Sequence, residues 1–449
     1  MHLLVIGGSD AGISAALRAH ELAPDTEITL LLADDYPNFS ICGLPYFLSG
    51  ETPDWRDLAH RSEFPGIDVR RRHVARSIDP GARRVRVEHD GRERDIDYDR
   101  LVIATGARPI RPSLPGSDLD GVFLLHTMDD SFAVKNHIAH RHPRTAAIVG
   151  AGYIGIEMAD ALTQTGIAVT LFSRSETVLP TVDPSLGRLI QTELERHDVR
   201  VETGVGVERI EQVAGGESAS LSLTDSSGRL HQADLILLAV GVRPDSDLAR
   251  AAGANLGARD AIAISRAMET SLPDVFAAGD CVETHHRQLA DPTYISLGTI
   301  AHKQGRVAGE NALGGDRRFP GTLGTQAIKI FDLAVARSGL SDSEAVAAGL
   351  APLTVEVTAN DHKGYYPGAT PLTIRMTGDR HTGRLIGAQI LGHRGAEISK
   401  RIDIVAAALH HYAGVDDLND LDLSYTPPFS SPWDPVQIAA QAWLAAARD

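Results

Sequence analysis

The chain has 449 residues, 43% hydrophobic and 23% charged, with 42 glycines, a make-up that fits an α/β protein rich in tight turns and long enough for two or three domains. Its formal charge of −16 argues against nucleic acid or an anionic membrane as a partner, yet anionic cofactors can still bind at helix N-termini and beside local basic residues. The two cysteines, Cys42 and Cys281, stand far apart in the sequence with no other near either; this argues against a disulfide framework or Cys-rich zinc site and leaves chemistry at Cys42 to a single protein sulfur.

The chain enters a strand at once, residues 3–6, with no basic region and apolar core of a leader, so the expected compartment is the cytoplasm. A helix over about 11–22 and a strand over 27–32 complete a βαβ unit. The strand over 100–106 breaks at Ala107-Arg108-Pro109, which marks a domain crossover. A second βαβ unit starts at Thr145, runs its helix over about 154–165 and returns over 168–172. The apolar run 234–241 is too short for the roughly 18 to 20 residues of a membrane span and reads as a buried strand. Strand 275–280 ends in Gly-Asp and brings the chain back to the first unit. Beyond about Phe319, strands over 353–358, 372–376 and 385–391 and helices near 396–412 and 434–447 read as a separate α+β unit.

In the second unit Gly150, Gly152 and Gly155 form G-x-G-x-x-G between strand and helix, around Tyr153 and Ile154. The glycines allow the tight turn, the approach of a pyrophosphate and close packing of helix on strand. The returning strand ends in Ser173-Arg174 with no acid, which favours NADPH, with NADH as the alternative. The first loop, Gly7, Ser9 and Gly12, lacks the middle glycine. Its support comes from two later strand ends able to close around one extended dinucleotide, Ala104-Thr105-Gly106 and Gly279-Asp280, where the Asp280 carboxylate can accept from a flavin ribityl hydroxyl. Cys42 is expected to begin a helix whose dipole favours the thiolate, suited to attacking disulfides or donating charge to a flavin. Cys281 reads as a packed small residue. The adjacent pairs His285-His286 and His410-His411 point apart and have no ligand spacing, so no metal is expected.

Taken together, Cys42-Gly43-Leu44-Pro45-Tyr46, the run 101–109, the second glycine loop with Glu157, 239–244, 277–281, 302–311 and Tyr425-Thr426-Pro427-Pro428 resemble the flavin-dependent pyridine nucleotide disulfide oxidoreductases. The likeness is to the single-cysteine branch of coenzyme A disulfide reductases, persulfide reductases and NADH oxidases or peroxidases. It implies an α/β fold of two Rossmann-like dinucleotide-binding domains, the second inserted in the first, plus a C-terminal α+β dimerisation domain. The expected division is 1–112 with 241–318 for FAD, 113–240 for NAD(P)H and 319–449 for a homodimer interface. It further implies cofactor contacts at Asp34, Asn38, Glu157 and Gly241, and tyrosines of the partner's C-terminal domain, Tyr425 with Tyr365 or Tyr366, near the redox thiol. The implied substrate is a low-molecular-weight disulfide or persulfide, coenzyme A among the candidates. Cys42 attacks it and Tyr425 protonates the departing thiolate. An oxidase using a Cys42 sulfenate is the alternative, and a slow flavin redox sensor a lesser one.

Three positions depart from the family pattern. Asp10 stands where oxidases and peroxidases carry a histidine, Leu32 where an acid usually holds the FAD ribose, with Asp34 or Asp35 as substitutes, and His302 where Asn is usual. Arg18, Lys303 and Arg306 are the charge-based candidates for a coenzyme A phosphate.

Overall fold

The computed structural model describes residues 1–213 and 221–448. Its first sheet is parallel, in the order Val275–Ala277, Arg100–Ile103, His2–Ile6, Glu27–Leu31, Asp68–Arg70. The central strands are continuous apolar runs because both faces are covered; Leu3, Leu4, Val5, Leu101, Val102 and Ile103 are fully buried. Helices Asp10–Leu22 and Gly298–Ala312 cover one face and pack against each other. Their contact requires glycine. A Cβ on Gly305 would lie 2.2 Å from the Ala11 carbonyl oxygen, and one on Gly309 2.2 Å from that of Ala15. This backbone-to-backbone approach sets the start of one helix beside the first turns of the other.

The second sheet, also parallel, runs Arg200–Glu202, Ala168–Phe172, Thr145–Val149, Leu235–Leu238, Val122–Phe123. Helix Tyr153–Gln164 follows its central strand. The crossover expected at Ala107-Arg108-Pro109 is itself a short strand, antiparallel to Val242–Pro244, so the outgoing and returning connections form one ribbon.

The C-terminal unit is an antiparallel sheet in the order Gln326–Ile330, Leu333–Gly339, Leu385–His393, Pro371–Asp379, Pro352–Asn360, packed with helices Ile398–His410 and Pro435–Ala446. Buried Trp443 anchors the last helix by donating its indole N–H to Leu353 O at 2.7 Å. The sequence reading finds three of these five strands and both helices. It misses the hairpin over 326–339, whose tight connection is Phe331-Asp332 with Phe331 at φ +50°. A bulky residue in the left-handed region carries none of the Gly or Asn signal by which such turns are recognised. It also passes over the meander Val74–Asp79, Arg84–His89, Arg92–Asp97, whose strands are largely charged.

Candidate functional site

A cavity of about 2240 Å³ runs from the first glycine loop, past Cys42, to the second. That exceeds the roughly 300 to 1,000 Å³ of a single small-ligand pocket and leaves room for two extended dinucleotides. Both loops are built for close backbone approach. Gly7 and Gly150 each sit at φ +113°, and a Cβ there would fall 2.0 Å from Ala104 O and 2.3 Å from Ala239 O respectively. Gly12 and Gly155 do the packing instead: their Cβ atoms would strike the Gly7 and Gly150 carbonyls at 1.9 and 1.8 Å. Gly152 faces open space. Ser9 and Gly152 are the N-caps of the two helices and neither places a side chain over the first turn, so the N–H groups there remain available to an anion.

Around the first loop the cavity wall includes Asp34, Ala104, Thr105, Gly106, Gly279 and Asp280. Asp34 is free to serve a ligand apart from one bond from the Tyr36 N–H at 2.8 Å, whereas Asp35 is tied to Arg72. Burial, opposed by that Tyr36 bond, pushes the Asp34 carboxyl up. Thr105 donates to Asp245 O at 2.5 Å. Buried Gln304, not singled out from sequence, accepts the Gly279 N–H at 2.9 Å and so holds the turn that presents Asp280. Burial, with the Asp10 charge beside it, pushes Asp280 up to about 6. Asn38 is the exception among the expected contacts. It is buried at φ +59° and works through its backbone, its N–H donating to Gly8 O at 2.8 Å and its carbonyl accepting from His60 N at 3.0 Å.

At the second loop Gly150, Gly152, Tyr153, Ile154, Glu157, Ser173, Arg174 and Gly241 line the same cavity. Arg174 is exposed and has no carboxylate partner among the described residues. Glu157 is raised to about 7 by burial and then by Asp160, with Lys329 opposing. Lys329, from the C-terminal sheet, pairs with Asp160 at 2.9 Å and Glu51 at 3.1 Å, knotting the three sheet systems together behind Glu157.

Cys42 lies in the 3-10 turn Ile41–Gly43 ahead of the six-residue helix Leu44–Ser49. Tyr36, Phe39, Trp55 and Phe132 brace the segment, with Phe39 stacked on Trp55 at 5.6 Å. The expectation of a dipole-favoured thiolate is corrected. Cys42 is exposed and lines the cavity, yet burial, then Glu157, Asp10 and Asp280, push its thiol up. Cys281 is fully buried, with its thiol pushed up to about 11 by burial, as a packing residue should be.

Tyr365, Tyr366 and Tyr425 stand together on the C-terminal unit, 74%, 42% and 43% exposed. None lines the cavity that holds Cys42 in the same chain. Their two loops are fastened by buried Arg401, which pairs with Asp434 at 3.2 Å and donates to Asp361 O at 2.7 Å and Phe429 O at 3.3 Å. The charge-based candidates are largely spoken for: Arg18 pairs with Glu21 and Glu310 at 3.0 and 2.7 Å, and Arg306 with Glu21 at 3.4 Å. Away from the cavity, Glu193, His197 and Asp332 converge within 4.8 Å, where the His197 ring stacks on Phe331 at 4.0 Å and Arg196 approaches both acids.

Two glycine-loop dinucleotide sites facing one thiol define a pyridine nucleotide-linked redox protein. Residues 1–305 match the family described as pyridine nucleotide-disulphide oxidoreductase and residues 325–435 its dimerisation domain; the chain belongs to this family, and FAD and NAD(P)H are its cofactors. The chain is 34% identical over 445 residues, 98% of each chain, to an NAD(P)H sulfur oxidoreductase (CoA-dependent) of Pyrococcus furiosus. It superposes with TM-score 0.95 and 34% identity on an NAD-dependent persulfide reductase from A. fulgidus, covering 100% of this chain and 84% of that one. It likewise matches, with TM-score 0.94, 28% identity and 100% and 99% coverage, an engineered water-forming NADPH oxidase bound to NADPH, a variant of a Lactobacillus brevis enzyme whose exchanges include Asp to Ala and Ala to Arg. No helix among the described residues is long and apolar enough to cross a membrane.

Proposed function

We propose that the protein is an FAD-dependent NADPH oxidoreductase that reduces a low-molecular-weight disulfide or persulfide through Cys42. One observation carries the reading: a single reachable thiol opens onto the cavity shared by both glycine loops, and the other cysteine is buried elsewhere. With no neighbouring thiol to close a protein disulfide, the sulfur that Cys42 pairs with must come from the substrate. The names of the sulfur oxidoreductase and persulfide reductase relatives support the same substrate class.

In this reading residues 1–112 and 241–318 hold FAD, 113–240 hold NADPH and 319–449 form a homodimer interface. Gly7, Ser9, Ala104, Thr105, Gly106, Asp34, Gly279 and Asp280 bind the FAD, with Gly12 and Asn38 shaping the loop. Gly150, Gly152, Tyr153, Ile154, Gly155, Glu157 and Gly241 receive the nicotinamide cofactor, and Ser173 and Arg174 its additional phosphate. The engineered oxidase, whose exchanges remove an acid and add two arginines, supports that preference for NADPH over NADH. FAD supplies two-electron transfer between the nicotinamide and the thiol. Cys42 attacks the substrate disulfide, forms a mixed disulfide and is released as thiolate when that bond is reduced. Tyr425 and Tyr365, exposed and not among the residues lining their own chain's cavity, fit a role over the partner's Cys42. The free thiol of Cys42 suits a reducing compartment such as the cytoplasm, and a coenzyme A-based substrate is the first to try.

The test is NADPH oxidation by the purified flavoprotein with coenzyme A disulfide, polysulfide or oxygen as sole acceptor. The reading expects turnover with a sulfur acceptor that Cys42→Ser abolishes. Turnover with oxygen alone contradicts it and moves the Cys42 sulfenate oxidase ahead.

A further inference from the structure

Close packing of helices Asp10–Leu22 and Gly298–Ala312 brings together three polar groups that lie 288 or more residues apart in pairs across the two helices. His302 Nδ1 meets Ser14 Oγ at 2.8 Å, and His302 Nε2 meets Asp10 Oδ1 at 3.4 Å. The other Asp10 oxygen sits over the start of the second helix, 2.8 Å from where a Cβ of Gly298 would be. Asp10, His302 and Cys42 all line the same cavity. The ring is 46% exposed at its side chain, so water reaches it. An imidazole oriented on one nitrogen by a hydroxyl and on the other by a carboxylate is arranged to hold and release a proton.

We propose that the Asp10–His302 couple is the acid that protonates the thiol leaving from the disulfide attacked by Cys42. Cys42 first loses its proton to water, and the resulting thiolate forms a bond to one substrate sulfur; the substrate S–S bond breaks, and the departing sulfur takes the electron pair together with the proton held by the couple. The ring then regains a proton from water. No external oxidant or reductant is needed for this exchange. The assignment rests on the reading of Cys42 as the redox thiol and gives the protonation that the resemblance assigns to Tyr425 to a group lining the same cavity as Cys42.

The charged groups around the ring are compatible with the role. His60 meets it edge-on at 6.4 Å between centroids. Lys303 and Arg306 follow on its own helix, and Arg18, a turn beyond Ser14, is neutralised by Glu21 and Glu310. Facing Cys42 are Glu157, Asp10 and Asp280.

The test separates proton donation from mere positioning through the leaving group. Reduced, flavin-containing protein is reacted, without NADPH, with dithiodipyridine, whose leaving thiol is acidic and needs no proton, and with bis(hydroxyethyl) disulfide, whose aliphatic thiol does. Because Cys281 is fully buried, both rates read Cys42. The expected result is that His302→Gln and Asp10→Asn each lower the hydroxyethyl-to-pyridyl rate ratio by ~10²-fold, and that the ratio loses its pH dependence in His302→Gln. An unchanged ratio in His302→Gln, an equal fall in both rates, or a selective fall in Tyr425→Phe instead would overturn the assignment. Exchange that persisted in Cys42→Ser would overturn the functional reading, and this assignment with it.

Discussion

Glu157 offers a prediction whose size and sign follow from its surroundings. Burial and the neighbouring Asp160 raise its carboxyl from 4.5 to about 7, a difference of about 2.5 units, which at 1.36 kcal/mol per unit is about 3 kcal/mol. The folded-state value lies above the unfolded one. The protonated form is therefore the one the fold favours: its contribution is fully present below about pH 4.5 and is lost as pH rises through about 7. Glu157→Gln fixes the neutral form. The variant should match the wild-type chain in urea midpoint near pH 4 and exceed it near pH 8, by an amount on the order of 3 kcal/mol in the cofactor-free protein. Lys329→Met, which removes the cation that holds Glu157 down, should widen the gap. Infrared titration of the Glu157 carboxyl band, assigned by its absence in the Gln variant, reads the same quantity directly. Equal midpoint differences at the two pH values would refute the reasoning, as would a carboxyl band lost by pH 5.

Three more predictions concern the cofactor loops and the tyrosine platform. Arg174→Ala should raise KM for NADPH ~10- to 100-fold, the worth of one or two charge-assisted hydrogen bonds, and leave KM for NADH within about 2-fold; equal effects on both cofactors would show that Arg174 is only a surface residue. Gly150→Ala, forced into φ +113° with its Cβ 2.3 Å from Ala239 O, should abolish NADPH binding by titration while flavin absorbance is retained, and normal NADPH affinity would contradict the close-approach argument. Arg401→Met leaves the buried Asp434 carboxylate without its cation and three backbone carbonyls without a donor, and should lower stability by ~3 kcal/mol, read as a shift of the denaturation midpoint with loss of the dimer at low concentration. A shift under about 0.5 kcal/mol would show that the two tyrosine loops hold themselves.

What was legible in the sequence is what is local. A glycine at φ +113° beside a strand end, or a lone cysteine before Gly-Leu-Pro, announces itself within ten residues, and Gly7, Gly150 and Cys42 fall where the motifs place them. The Cys42 thiol is pushed up by burial and then by Glu157, Asp10 and Asp280 from three separate segments, so the expectation of a dipole-favoured thiolate, drawn from neighbours in sequence alone, has the wrong sign in the cofactor-free protein. The Ser14–His302 contact spans 288 residues and depends on the Gly305 and Gly309 approach, which no spacing reveals. Arg401 reads as one more basic residue in an amphipathic helix until its loops are folded over it. The Phe331 hairpin is invisible in the sequence because its left-handed turn uses Phe, which sequence preferences place almost anywhere else.

The central claim is that Cys42 forms a disulfide with a small thiol during turnover. Intact mass of the oxidised protein under denaturing, non-reducing conditions, repeated after NADPH, tests it most directly. The account predicts a mass increment of a small thiol on Cys42 that NADPH removes, absent from Cys42→Ser; an unmodified chain, or one carrying a single extra oxygen, would contradict it.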